Sequence, residues 1–121
     1  MFVHTAWGIK PLTRASLITT LQRVDYKTVK GRYHLYDYYA TATKFLLQKE
    51  DHELLNTIIR SYITTFHYDA THLVLEPFIP YYQKHKATVV ATIKLLATKK
   101  EAKDFFLRLD IAEREYLHGN G

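Results

Sequence analysis

The chain is 121 residues long, enough for a single domain, and 47% of it is hydrophobic, enough to fill a core. It holds no cysteine, which excludes a disulfide framework, a thiolate zinc site and a cysteine nucleophile. Seventeen Lys and Arg against twelve Asp and Glu leave a formal charge of +5, a bias toward acidic partners of which RNA is one.

Four Gly and three Pro are too few turn residues for a sheet protein of this size, so the predicted fold class is all-α. No run of about 18 apolar residues is present, so no membrane span is expected. Residues 1–10 show no period and read as an N-terminal arm, without the basic and apolar regions of a secretory leader. A single domain is expected over 11–118, with 119–121 a frayed tail. Pro11 suits a first helical position, and Leu12, Ala15, Ile18, Leu21 and Val24 recur every three residues with Leu17 beside them, predicting a helix. Tyr26, Val29, Tyr33, Tyr36, Ala40, Thr43 and Leu47 form the next apolar stripe. Gly31 interrupts it, so the spacing predicts one helix over 26–48 or a break near 31–34.

Residues 56–78 read as the clearest helical hairpin of the chain. Asp51 is placed to cap its first helix, and Leu54, Leu55, Ile58, Ile59, Tyr62, Ile63 and Phe66 form a broad apolar face. Asp69 is the predicted cap of a following helix that Pro77 and Pro80 end or kink near Glu76. Val89, Val90, Ile93, Leu96 and Ala97 mark one face over 86–97. Thr98-Lys99-Lys100-Glu101 then reads as a capping box opening a last helix on Ala102, Phe105, Phe106, Leu109, Ala112 and Tyr116, which Gly119 stops.

Asp37, Asp69 and Glu101 stand 32 residues apart, each near the start of a predicted second helix. Ile58 and Val90, and Ile63 and Leu95, repeat the same interval in the preceding helices. Such a period is one helical hairpin per unit, so the expected architecture is about six helices in three antiparallel hairpins, a short α-solenoid-like stack. Asn56-Thr57-Ile58-Ile59 with Tyr62, followed by Tyr68-Asp69-Ala70, resembles a pentatricopeptide or tetratricopeptide hairpin, and Lys99-Lys100-Glu101-Ala102 resembles the same unit. The order of features from Pro11 to Leu109 is similar to pentatricopeptide-type proteins of the mitochondrial small ribosomal subunit. That resemblance implies a scaffold in a ribonucleoprotein, an intracellular and mitochondrial setting, and a base-reading position at Asn56.

Catalytic and metal chemistry finds little support. His67 and His72, five apart with Asp69 between them, straddle a predicted turn and read as surface histidines. Glu50-Asp51-His52-Glu53 does not supply a Glu-x-x-His pair, no glycine-rich phosphate loop is present, and Ser16 and Ser61 lack a glycine elbow. The chain is therefore expected to be no enzyme and to use no cofactor and no metal. Lysines and tyrosines together can hold phosphates and stack bases. Lys27, Lys30, Arg32, Lys84, Lys86, Lys94, Lys99, Lys100 and Lys103, with Tyr33, Tyr81 and Tyr82 beside them, make the best candidate surface. The predicted binding residues for RNA or a partner are Asn56, Lys27, Lys30, Arg32, Tyr33, Tyr81, Tyr82, Lys84, Lys86, Lys99 and Lys100. The expected function is a non-catalytic scaffold or adaptor in a larger assembly, RNA-associated, with exposed end faces that favour partner binding or self-association. The alternatives are a protein–protein module without nucleic acid and a small helical-bundle enzyme or metal protein.

Overall fold

The computed structural model of the chain describes residues 12–23, 34–68 and 73–119, and every regular element among them is helical. Thr13 N–H donates to Ser16 Oγ at 2.8 Å and Ser16 N–H to Thr13 Oγ1 at 3.2 Å, occupying amides that the start of α1 (Arg14–Arg23) leaves unbonded. Leu17 and Leu21 bury the inner face of α1, one turn apart, while Ala15 of the expected three-residue stripe is exposed. A strict three-residue spacing drifts around a helix of 3.6 residues per turn, so its members cannot all face inward. Pro11 and Val24 lie outside the described residues.

Helix α2 (Leu35–Gln48) buries Leu35, Tyr39, Ala42 and Leu46. Of the expected stripe, Thr43 is buried and its hydroxyl donates to the Tyr39 carbonyl at 2.8 Å, Ala40 is half-buried, and Tyr36 and Leu47 are exposed, so the main apolar face lies one residue earlier than expected. Both sets have helical spacing, and a chemical match decides between them. Tyr39 Oη hydrogen-bonds with Ser61 Oγ at 2.8 Å and Thr65 Oγ1 at 2.9 Å, and its ring stacks on Tyr62 at 3.9 Å. The choice between a long helix and a break near 31–34 lies outside the described residues, as do Tyr26, Val29, Gly31 and Tyr33.

Asp51 caps α3 (His52–Tyr68) as predicted: Leu54 N–H donates to Asp51 Oδ1 at 3.1 Å. Arg14 ties this cap to α1, with Nη2 at 3.0 Å from Asp51 Oδ1 and 2.7 Å from Glu53 Oε1. Leu54, Leu55, Ile58, Ile59 and Tyr62 are fully buried, with Ile63 and Phe66 half-buried. So wide an apolar face needs neighbours on several sides, and α3 packs against α1, α2 and α5 (Lys86–Leu96).

The segment after α3 departs from a helical hairpin. Residues 69–72, including Asp69 and His72, lie outside the described residues, and Leu73–Phe78 is a 3-10 helix containing Pro77. Proline removes an amide and clashes with the carbonyl four residues back, so this stretch takes the tighter winding instead of an α-helix ending near Glu76. It is nonetheless central. Leu75 and Phe78 are fully buried, and the 3-10 helix packs between α2 and α6 (Lys99–Gly119). Pro80 sits in the first turn of the short α4 (Ile79–Lys84). The chain is thus all-α, with six α-helices and one 3-10 helix among the described residues. The second helices of the first and third expected units begin at Leu35 and Lys99, 64 residues apart and so twice the expected interval, while the first helices begin at Arg14, His52 and Lys86, at unequal intervals.

Candidate functional site

The hairpin of α5 and α6 carries two very different ends. At one, Lys86 Nζ donates to Glu113 Oε1 at 3.0 Å and lies 5.3 Å from the centre of the Tyr82 ring. The carboxylate beside it raises the Lys86 ammonium above its ordinary value, and burial raises the half-buried Tyr82 phenol. These predicted binding residues are already engaged with one another.

At the other end the capping box forms as the sequence predicts. Thr98 N–H donates to Glu101 Oε1 at 2.9 Å and Glu101 N–H to Thr98 Oγ1 at 3.1 Å. Glu101 Oε2 also lies 2.8 Å from His67 Nε2 at the end of α3. The Thr98 amide and then His67 hold the Glu101 carboxyl below its ordinary range. Around this box lies a groove of about 510 Å³, floored by Ala97, Ala102 and Phe106 and flanked by Lys94, Lys99 and Lys103. On α6 the lining residues Lys99, Ala102, Lys103 and Phe106 fall at i, i+3, i+4 and i+7, a single helical face.

The electrostatics of this corner are unbalanced. Lys94, Lys99, Lys100 and Lys103 are exposed, and among the described residues none forms an ion pair. The neighbouring carboxylates are occupied: Glu101 as above, and Asp104 by Arg108 Nε at 2.8 Å. Lys99 and Lys100 also occupy the first turn of α6, where the positive end of the helix dipole disfavours cations by about 0.3–1 kcal/mol each at low ionic strength. The capping box therefore supports a helix start that its own lysines oppose.

The other predicted binding residues do not gather at this corner. Tyr81 is a correction: it is 3% exposed, buried in the core and stacked on His85 at 4.5 Å, so it offers no face to a base. Lys84 is exposed at the end of α4 without an ion pair. Asn56 is half-buried and lines a different groove, of about 620 Å³, between Gln22 of α1 and Arg60 of α3. Lys27, Lys30, Arg32 and Tyr33 lie outside the described residues. Sequence reasoning placed Lys94 and Lys103 in the basic group but left Ala97, Ala102 and Phe106 out of any site. The i, i+3, i+4, i+7 spacing of two lysines around an alanine and a phenylalanine was the available signal.

Among the described residues no three His, Asp or Glu converge in a way that could hold a metal, and no helix is long and apolar enough to cross a membrane. The chain matches no protein-family model, no curated protein and no solved structure.

Proposed function

We propose that this protein is a non-catalytic helical interaction module, a scaffold or adaptor that holds an acidic partner at the corner between α5 and α6. One observation carries this: the clustered lysines of that corner have no ion-pair partner among the described residues, whereas Arg14, Lys86, Arg108 and Arg114 are all paired to carboxylates of the chain. Uncompensated like charges repel one another and weaken the compact state, and a ligand of opposite sign relieves that repulsion.

The predicted RNA association keeps its phosphate-binding half in these lysines. Its base-stacking half loses Tyr81 to the core and shares Tyr82 with Lys86, which favours a protein partner. The test is elution of the purified chain from an immobilised polyglutamate column in a salt gradient. Reversing Lys94, Lys99 and Lys103 together to Glu is expected to lower the eluting salt far more than the same reversal at Lys44, Lys49 and Lys84. Equal losses from the two triple variants would mean that net charge alone is read and would overturn the assignment.

A further inference from the structure

We propose that the α5–α6 groove docks an acidic amphipathic helix of a partner protein, an inference that rests on the interaction-module reading above. The stripe from Lys99 to Phe106 runs straight along two turns of α6, about 10 Å at 1.5 Å per residue, which is the footprint of a short helix laid alongside. Ala97 and Ala102 keep the floor low, so a partner's aliphatic side chains can descend to it, and Phe106 adds an aromatic ring to that floor. Lysines on both flanks, Lys94 from α5 and Lys99 and Lys103 from α6, call for carboxylates beside those aliphatic residues. Apolar anchors at i, i+3/i+4 and i+7 bordered by Asp or Glu satisfy the floor and the flanks together.

Other occupants fit less well. A second copy of this chain would have to supply unpaired carboxylates on a helix face. Among the described residues Asp37 and Glu76 alone carry carboxylates without a hydrogen-bond or ion-pair partner, and they sit on separate elements, α2 and the 3-10 helix. Single-stranded RNA would need exposed rings for stacking, and among the described residues the groove offers only the half-buried Phe106.

The experiment titrates the full chain, by fluorescence anisotropy, with a labelled and capped Leu/Glu peptide of about 14 residues patterned as one amphipathic helix. The comparison probes are a scrambled peptide of the same composition, a polyglutamate of the same length and an oligouridylate of matched charge. The patterned peptide is expected to bind at least about tenfold more tightly than any comparison probe, and Lys99→Glu or Lys103→Glu to weaken it by roughly tenfold. Ala97→Glu, which puts a like charge on the floor, is expected to do the same, and Lys44→Glu on α2 to change nothing. Circular dichroism of each variant confirms that the fold is retained. Equal binding of the patterned peptide, the scrambled peptide and polyglutamate would overturn the amphipathic-helix inference while leaving an acid-binding corner standing. Preference for the oligouridylate would overturn it in favour of RNA. A dimer in sedimentation that Lys99→Glu dissolves would overturn it in favour of a second copy. Failure of every probe to bind would overturn both this inference and the reading it rests on.

Discussion

Tyr62 is the residue around which the core closes. Its ring meets Tyr39 of α2 at 3.9 Å, Phe78 of the 3-10 helix at 5.6 Å and Phe105 of α6 at 5.9 Å, while Phe66 of its own helix lies 5.9 Å away. Its hydroxyl donates to the Val74 carbonyl at 2.9 Å, and burial pushes the phenol well above its ordinary value. Two substitutions separate these roles. Tyr62→Phe keeps the ring and strands one carbonyl, an expected loss of about 1–2 kcal/mol. Tyr62→Ala opens a cavity where four elements meet, an expected loss of about 3–5 kcal/mol. Urea denaturation reads both, and an alanine variant no weaker than the phenylalanine variant would remove the ring from this central role. Asp51 illustrates a second kind of residue, one whose charge state matters. The hydrogen bond from Arg14, followed by the Leu54 amide, holds its carboxyl below the ordinary 3.8. A depressed folded-state value means the stabilisation is complete above the unfolded-state value and is lost as pH falls through the folded one. Arg14→Gln is therefore expected to melt at a lower temperature than the wild type near neutral pH. The gap should close as melting curves are taken to progressively more acid pH, below the ordinary carboxylate value. A gap independent of pH would exclude the carboxylate as its source.

At the level of elements, α6 sets stability against the docking proposed above. Removing the cap with Thr98→Ala is expected to cost about 1 kcal/mol, measured by thermal or urea unfolding, because it frees the Glu101 amide and loosens the reciprocal bond. Lys99→Glu should do the opposite, raising the melting temperature by placing an anion in the first turn, while weakening the proposed docking in the groove by roughly tenfold. A Lys99→Glu variant that melts lower than the wild type would show that the lysine is needed by the fold itself. The capping box was legible in the sequence because both partners lie within one turn. The wide face of α3 was legible because its apolar residues leave no second phase to choose. The phase of α2 was not, since two stripes one residue apart are both apolar and the choice rests on Ser61 and Thr65, which meet Tyr39 from another helix. Which lysines lack an ion pair among the described residues was hidden for the same reason: Lys86 finds Glu113 only through the packing of α5 on α6. The 3-10 helix follows from Pro77, whose effect on helix length was anticipated but whose effect on winding was not.

At the level of the whole molecule, the aromatic cluster and the placement of the 3-10 helix decide how the chain should unfold. In a stack of helical hairpins each unit touches only its neighbours, so stability is nearly a sum of units and ends can melt first. This chain carries Leu73–Phe78, which follows α3 in sequence, in between α2 and α6, and packs α3 against α1, α2 and α5. Rings from α2, α3, the 3-10 helix and α6 share one cluster, so removing any one of these elements uncovers the others. The expected outcome is a single cooperative transition. Helicity followed by far-ultraviolet circular dichroism and aromatic packing followed by tyrosine signals in the near-ultraviolet should give coincident urea curves. The same architecture predicts that a chain cut after Lys84, which lacks α5 and α6 and with them Phe105, loses cooperative folding altogether instead of retaining two stable units. Separate transitions for the two probes, or a cooperatively folded truncated chain, would mean that the three units behave as an additive stack and that the cluster around Tyr62 does not couple them.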